Sequence, residues 1–110
     1  IQKRLEMRQK DQLVFEASMI GFDALITPTV LEPAPRLDDI DENSTPGYFT
    51  RPFNYIDMSA LAIPTAYSAK GLPTSLQIAV PAGRENFVIQ MGTALEKALG
   101  LTKQPDLSPL

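Results

Sequence analysis

The side chains that could do chemistry in this chain are serines, a lysine and a run of acids, because the sequence contains neither histidine nor cysteine. Ser68 and Lys70 stand two residues apart, a spacing that suggests a nucleophile and its base. Such a pair needs hydrogen-bond contact and donors for the developing oxyanion. Both residues fall in a predicted hairpin turn, where water would surround them, and Ser59 and Ser75 have no identifiable base. We interpret Ser68 and Lys70 as turn residues and predict no catalytic residue in this chain.

The acidic run is the second candidate for chemistry; its members are Asp38, Asp39, Asp41 and Glu42. Several carboxylates on one loop could bind a hard cation such as calcium, but the alternating pattern of a calcium loop is missing. Blocks of like charge in loops are usually solvated. The absence of histidine and cysteine also removes the usual zinc ligands. The sequence predicts no metal site and no cofactor.

Asn54 and Asp57 are polar residues in an otherwise apolar segment, where an unpaired amide or carboxylate would cost a few kcal/mol. One interpretation is structural: Asn54 would hold the loop backbone, and Asp57 would cap a helix or pair with Arg51. The other is that the segment lines a ligand pocket, with Tyr48 and Phe49 adding aromatic surface. The residues alone leave both open.

Composition limits the class of protein. The chain has 110 residues, 44% of them hydrophobic, and a net charge of −3. This indicates one folded domain and argues against a nucleic-acid or anionic-membrane partner. No apolar run approaches the ~20 residues of a membrane span, and no signal peptide opens the chain. The lack of cysteines fits a cytoplasmic location, which we expect.

Periodicity predicts the elements that position these side chains. A helix is expected over 2–21, with its second half buried, followed by a strand at 24–27. A long loop with five prolines fills 28–52, and a short helical turn follows at 52–59.

The second half of the chain predicts a hairpin and a covering helix. The hairpin strands begin at 61–63 and 75–80 and flank a turn from Ser68 to Gly71. A helix at 84–99 should pack on the sheet face that carries the larger apolar side chains. The helix residues are Phe87, Val88, Met91 and Leu95, and the strand residues are Leu76, Ile78 and Val80.

Three landmarks follow one another in a fixed order. The run Asp23-Ala24-Leu25-Ile26-Thr27-Pro28-Thr29 comes first, the segment with Asn54 second, and Gly71-Leu72-Pro73 leading to Gln77 third. With the final amphipathic helix, they resemble the C-terminal part of the amidase signature family. The resemblance covers roughly residues 4–99. It implies an α/β fold with a partial mixed sheet covered by helices, in which 1–100 belong to an amidase domain and 101–110 form a tail.

The resemblance also implies a function. The family hydrolyses amides with a Ser–Ser–Lys triad in a glycine- and serine-rich signature, and no such stretch occurs here. We therefore expect the C-terminal piece of a longer amidase-type hydrolase, with a small-molecule amide as substrate and the catalytic residues outside this chain. In the family fold the Asn-containing segment walls the acyl side of the substrate channel, which implies substrate-binding roles for Thr50, Phe53 and Asn54. Asp57 and Ser59 replace a glycine-proline pair that many members carry.

A non-enzymatic interpretation stays open beside the amidase interpretation. The chain could be an interaction or oligomerisation module, or an inactive remnant, because only the resemblance argues for an enzyme. We also expect self-association, since an isolated piece would expose a sheet edge and an apolar patch. The expected contact is Leu5, Leu13 and Phe15 of the first helix together with the strand at 24–27.

Overall fold

The computed structural model of the protein describes residues 1–104 and residue 108. Three helices and three strands are the main elements of this described part, which confirms the α/β class. In chain order they are α1 (Gln2–Ser18), β1 (Leu25–Pro28), a 3-10 turn (Leu37–Asp39), α2 (Arg51–Tyr55), β2 (Met58–Tyr67), β3 (Pro73–Pro81) and α3 (Glu85–Leu99). The predicted tail at 101–110 is described only at 101–104 and 108; its other residues lie outside the described part.

The sheet differs from the mixed sheet that we expected. Its strand order is β1-β3-β2, and both neighbouring pairs in the described residues are antiparallel. β2 and β3 are joined by a tight hairpin, which permits only antiparallel pairing. β1 runs parallel to β2, but β3 separates them, so the two form no parallel pair.

The central strand β3 supplies most of the buried core. Ile78, Ala79 and Val80 are 0–1% exposed. As predicted, α3 packs on this strand: Val88 joins Ile63, Ile78 and Val80 in the core, and Phe87, Met91 and Leu95 pack around them. Fully burying an aliphatic side chain of this size contributes about 1.5–3 kcal/mol, so this contact is the main source of stability.

The hairpin is confirmed, and β2 is longer than predicted. The turn closes through Ser68 N–H to the Leu72 carbonyl at 2.8 Å, with Gly71 at a φ of +77°. β2 begins at Met58 rather than at residue 61, and it accommodates Pro64 because the register shifts between Pro64 and Ala66. A bulge in an edge strand is where a sheet tolerates a proline.

The first helix corrects the prediction of a buried second half. It ends at Ser18 and contains no buried residue; Leu13 and Val14 are 67% and 62% exposed. The prediction rests on apolar residues around most of the circumference of this part of the helix, and no described element covers them. Neither long helix of the described residues combines the length and apolarity that a membrane crossing needs.

The close approach of α3 to β2 yields a first prediction. A β-carbon on Gly92 would collide with Leu61 Cδ2 and lie 2.9 Å from Ile63 Cδ1. Overpacking of this kind costs about 1–3 kcal/mol, and the upper part of that range applies because Ile63 is buried in the core and Leu61 packs against it. This cost outweighs the ~1 kcal/mol that alanine gains over glycine as a helix former. Gly92→Ala should therefore lower the free energy of unfolding in denaturant titrations.

The neighbouring exposed residue provides the control for this substitution. Thr93→Ala should change the free energy of unfolding by no more than about 0.5 kcal/mol. An unchanged or raised stability of Gly92→Ala would contradict the packing of α3 on β2.

Candidate functional site

All three residues predicted to contact substrate lie on or beside one short helix. Thr50 is the N-cap of α2, and Phe53 and Asn54 follow within it. Phe53 is 5% exposed and turns into the protein, whereas Asn54 is exposed. The structure thus brings the three together in sequence and space. Their substrate-binding role stays a prediction.

The start of α2 is held by a buried amide. Gln77 lies on the central strand, is 3% exposed, and is the polar member of the buried set. Its Nε2 donates to the Phe49 carbonyl at 2.8 Å, to Thr27 Oγ1 at 2.9 Å and, more weakly, to the Pro28 carbonyl at 3.4 Å. One side chain therefore connects β3 with the end of β1 and with the residue before Thr50.

The end of α2 is held from α1. Arg8 Nε donates to the Tyr55 carbonyl at 2.6 Å, and Arg8 Nη2 reaches the Asn54 carbonyl at 3.5 Å. These carbonyls belong to the last turn of a helix and have no partner within it. A guanidinium there also interacts favourably with the negative end of the helix dipole.

A second contact between α1 and α2 involves a tyrosine. Tyr55 Oη donates to Asp11 Oδ2 at 2.8 Å. This hydrogen bond raises the pKa of Tyr55 above its ordinary value, with desolvation and the negative charge of Asp11 adding to the effect and Arg8 opposing it. α1 is therefore docked on α2 through polar groups, since it buries no side chain of its own.

The structural roles proposed for Asn54 and Asp57 require correction. Asp57 neither caps a helix nor pairs with Arg51; it lies 3.6 Å from Arg8 Nη2, is 75% exposed, and has a φ of +63°. The Asn54 side chain is exposed, so the cost of burying an amide does not apply to it. The segment is less buried than its apolar composition indicates, because α2 covers the sheet mainly through Phe53.

The aromatic pair before α2 lies partly at the surface. Tyr48 and Phe49 pack edge to face with ring centroids 5.0 Å apart, and Tyr48 is 67% exposed. The contribution of these rings to a ligand pocket stays a prediction, because the lining of the described clefts includes neither of them.

The other chemical candidates have structural roles. Ser68 Oγ accepts a hydrogen bond from Leu72 N–H at 3.2 Å within the hairpin turn, as the turn interpretation predicts. Asp41 of the acidic run accepts from the backbone and side chain of Asn43. Among the described residues, no group of three or more acids, histidines or cysteines is arranged to hold a metal ion.

Ser59 has a partner that the sequence did not indicate. Its Oγ donates to Glu85 Oε1 at 2.6 Å, and the same carboxylate oxygen accepts from Gly83 N–H at 3.2 Å. The hydrogen bond from Ser59 lowers the pKa of Glu85, and the backbone contacts add to the effect. A carboxylate with a lowered pKa is a weak base, so this contact joins β2 to the start of α3 rather than activating a nucleophile.

A cleft of about 480 Å³ opens beside the end of β1 and the hairpin strands. Its lining includes Thr27, Val30, Leu31, Thr65 and Ser75, and none of the three predicted substrate residues. Thr29 lies in the sequence between two lining residues, Pro28 and Val30, and its Oγ1 is buried without a hydrogen-bond partner among the described residues. Thr27 lines this cleft and also contacts the residue that holds the start of α2, because its hydroxyl accepts from Gln77.

Sequence reasoning missed the two residues that hold α2. Gln77 belongs to one of the sequence landmarks, and its position between Leu76 and Ile78 in a strand could have indicated a buried amide that needs partners. Arg8 carries no such signal, because its partners are backbone carbonyls 46 and 47 residues away.

Comparisons with known proteins identify the family of this chain. The Amidase family model matches residues 1–89. A glutamyl-tRNA(Gln) amidotransferase subunit from Granulibacter bethesdensis is 35% identical over 97 residues, or 84% of this chain and 19% of that protein. The 6-aminohexanoate-cyclic-dimer hydrolase of a Pseudomonas species is 31% identical over 104 residues, or 79% of this chain and 21% of that protein.

Solved structures show the same fold. The corresponding glutamyl-tRNA(Gln) amidotransferase subunit from Thermotoga maritima aligns with 94% of this chain at a TM-score of 0.81 and 23% identity, and the match covers 25% of that structure. A 6-aminohexanoate cyclic dimer hydrolase aligns with 96% of this chain at a TM-score of 0.74 and 27% identity, again covering 25%. The fold is therefore that of part of an amidase-type hydrolase. The chain belongs to the amidase family, and it spans about a fifth of the length of the curated relatives it matches.

The tyrosine contact predicts a pH-dependent docking of α1. A folded-state pKa raised above the unfolded value contributes stability that is present below pH ~10 and is lost as the pH rises through the folded-state pKa. Docking should therefore be constant near neutrality and weaken in alkali, and Tyr55→Phe should abolish that pH dependence.

The absence of native cysteines makes this measurable. Cysteines introduced at the exposed positions Gln9 and Gln90 accept a fluorophore pair, whose energy transfer reports the position of α1. Tyr67→Phe, which removes a different exposed tyrosine hydroxyl, is the control. Equal alkaline transitions in the Tyr55→Phe variant and the unsubstituted chain would contradict the assignment.

Proposed function

We propose that this chain is the C-terminal part of an amidase-type hydrolase, which converts a carboxamide to a carboxylate and ammonia or an amine. The observation that carries the proposal is the Amidase family match over residues 1–89. The sequence contains no glycine- and serine-rich signature, so the Ser–Ser–Lys residues that the family resemblance implies are supplied from outside this chain.

The contribution of the chain is structural and specific to the site. The β-sheet and α3 form a rigid support, and α2 presents Thr50, Phe53 and Asn54 from one side of it. The exposed Asn54 side chain can hydrogen-bond an amide substrate, while the buried Phe53 fixes the helix on the sheet. Binding sites combine a few such polar groups with apolar walls.

The proposed substrate is a small-molecule amide. The relatives include one named for a tRNA-linked reaction and one named for a cyclic dimer of 6-aminohexanoate, so the family match alone does not select between them. A net charge of −3 favours the small molecule, because binding to a nucleic acid is dominated by basic residues that contact phosphates.

Amide hydrolysis by the polypeptide that contains this chain tests the proposal. The 110-residue chain alone should give background hydrolysis of a carboxamide panel, and the product of the complete reading frame should turn the amides over. Turnover by the isolated chain would contradict the absence of catalytic residues. No hydrolysis by either, with both folded, would favour the interaction module or the inactive remnant.

The same assay tests the predicted substrate-binding role of Asn54. Asn54→Ala should raise KM, and because Asn54 is exposed it should leave the free energy of unfolding within about 0.5 kcal/mol. Asn86→Ala, at an exposed position on α3, is the matched control and should change neither quantity. An unchanged KM in Asn54→Ala would remove this residue from the site.

Self-association is proposed for the isolated chain. Of the predicted contact residues, Leu5 and Leu13 are 54% and 67% exposed and Phe15 is partly buried, and β1, which carries the exposed Ile26, forms an open edge of the sheet. Exposed apolar patches beside an unpaired edge favour pairing, most often with two-fold symmetry. We propose that the surface used for self-association is the one that other parts of a complete amidase domain would cover.

Sedimentation across a range of chain concentrations tests the association. We expect a concentration-dependent increase in mass, reduced by Leu13→Asp and unaffected by Leu37→Asp, which alters an 86% exposed loop leucine. A monomer at the highest concentration would contradict the proposal. A cytoplasmic location also remains a proposal, supported by the absence of cysteines.

A further inference from the structure

We propose that Gln77 is a positioning residue for substrate binding: its buried amide sets where α2 begins and thereby places Thr50, Phe53 and Asn54. This inference rests on the proposed amidase function. Gln77 lies in the middle of the sheet and does not touch substrate. It affects the three predicted substrate residues through its hydrogen bond to the Phe49 carbonyl.

The geometry concentrates several acceptors on one nitrogen. The Phe49 carbonyl, Thr27 Oγ1 and the Pro28 carbonyl all lie within 3.4 Å of Gln77 Nε2. Three oxygen atoms from two other segments thus meet a group that has two N–H donors. Few other side chains meet this requirement: a carboxylate at the same place would repel the carbonyls, and an apolar side chain would leave the Phe49 carbonyl without this donor, whereas the Pro28 carbonyl would keep its hydrogen bond from Thr27 Oγ1.

The position of Gln77 makes this link rigid. Its backbone belongs to β3, which is paired on both sides, and its neighbours Ile78 and Val80 are 1% and 0% exposed. The core on the opposite face of β3 therefore fixes the backbone that carries this amide. A hydrogen bond from such a strand transmits the position of the sheet to the residue that it holds.

The helix at the other end of the link cannot position itself. α2 has five residues and buries one side chain, Phe53. A helix of this length is not stable on its own, because the cost of nucleation is spread over very few hydrogen bonds. Gln77 acts before its first residue, while Arg8 holds the carbonyls at its end. Removing the first of these contacts should shift the start of α2, where Thr50 lies.

The experiment uses the polypeptide of the complete reading frame. Gln77→Met keeps the length of the side chain and removes the donors, and Gln77→Glu keeps its shape but cannot supply two N–H donors, whether its carboxyl group is ionised or neutral. We expect both to reduce kcat/KM about ten- to a hundredfold, mainly through KM, because misplacing a binding wall by an ångström has effects of that size. Active-site titration corrects for the fraction of folded enzyme.

Two control variants separate positioning from general stability. Gln90→Met makes the same substitution at an exposed site on α3 and should leave KM unchanged. Thr27→Val removes one partner of Gln77 but retains the Phe49 contact, so it should change KM less than about twofold. Hydrogen exchange should show lost protection at the amides of Arg51 and Ile56 in Gln77→Met, with the α3 amides unchanged.

The outcomes distinguish the two proposals. If the unsubstituted enzyme hydrolyses amides and Gln77→Met lowers only the amount of folded enzyme, with KM unchanged, Gln77 is a structural residue and the inference is wrong. If the unsubstituted enzyme hydrolyses no amide, the proposed function fails and the inference fails with it. A raised KM in Gln77→Met, with an unchanged concentration of active sites, supports both the proposed function and the positioning role of Gln77.

Discussion

A hydrogen-bonded primary amide inside the sheet is the interaction on which the arrangement of this chain depends. Gln77 is nearly inaccessible to water, and its Nε2 contacts both the end of β1 and the residue before α2. A buried amide without partners would cost about 1–3 kcal/mol, so this contact adds to the β1–β3 pairing and to the burial of Phe53 in holding the three segments together. The apolar core on the opposite face of β3 makes this possible by fixing the strand that carries the amide.

Hydrophobic burial and polar contacts thus position different elements of the fold. Burial holds the sheet and α3, where Ile63, Ile78, Val80 and Val88 exclude water. The two segments that bury little, α1 and α2, are held instead by hydrogen bonds of Arg8, Tyr55 and Gln77. Polar contacts at exposed positions are weak because water competes for them. α1 is consequently the element most dependent on its surroundings, and its uncovered apolar side is where further protein would stabilise it most.

The sequence predicts the parts of this fold that repeat a local pattern. The hairpin, the period of α3 and its contact with Leu76, Ile78 and Val80 follow from alternation and helical spacing, and all are confirmed. The predicted burial of α1 is wrong, because a high local content of apolar residues does not identify what covers them. The antiparallel pairing of β1 with β3 and the reach of Arg8 to Tyr55 depend on contacts distant in sequence, which no local pattern encodes.

The buried hydroxyl of Thr29 and the short helix α2 illustrate the same physical condition. Thr29 Oγ1 has no partner in the described chain, and α2 has too few residues to fix itself. Neither feature favours a self-sufficient domain, in which buried hydroxyls are paired and helices bury a face. Both are compatible with a segment whose neighbours in space belong to a larger amidase domain. On that view the stability of the chain resides in β3 and α3, while α1 and β1 expose apolar side chains such as Leu13 and Ile26 that further protein can cover.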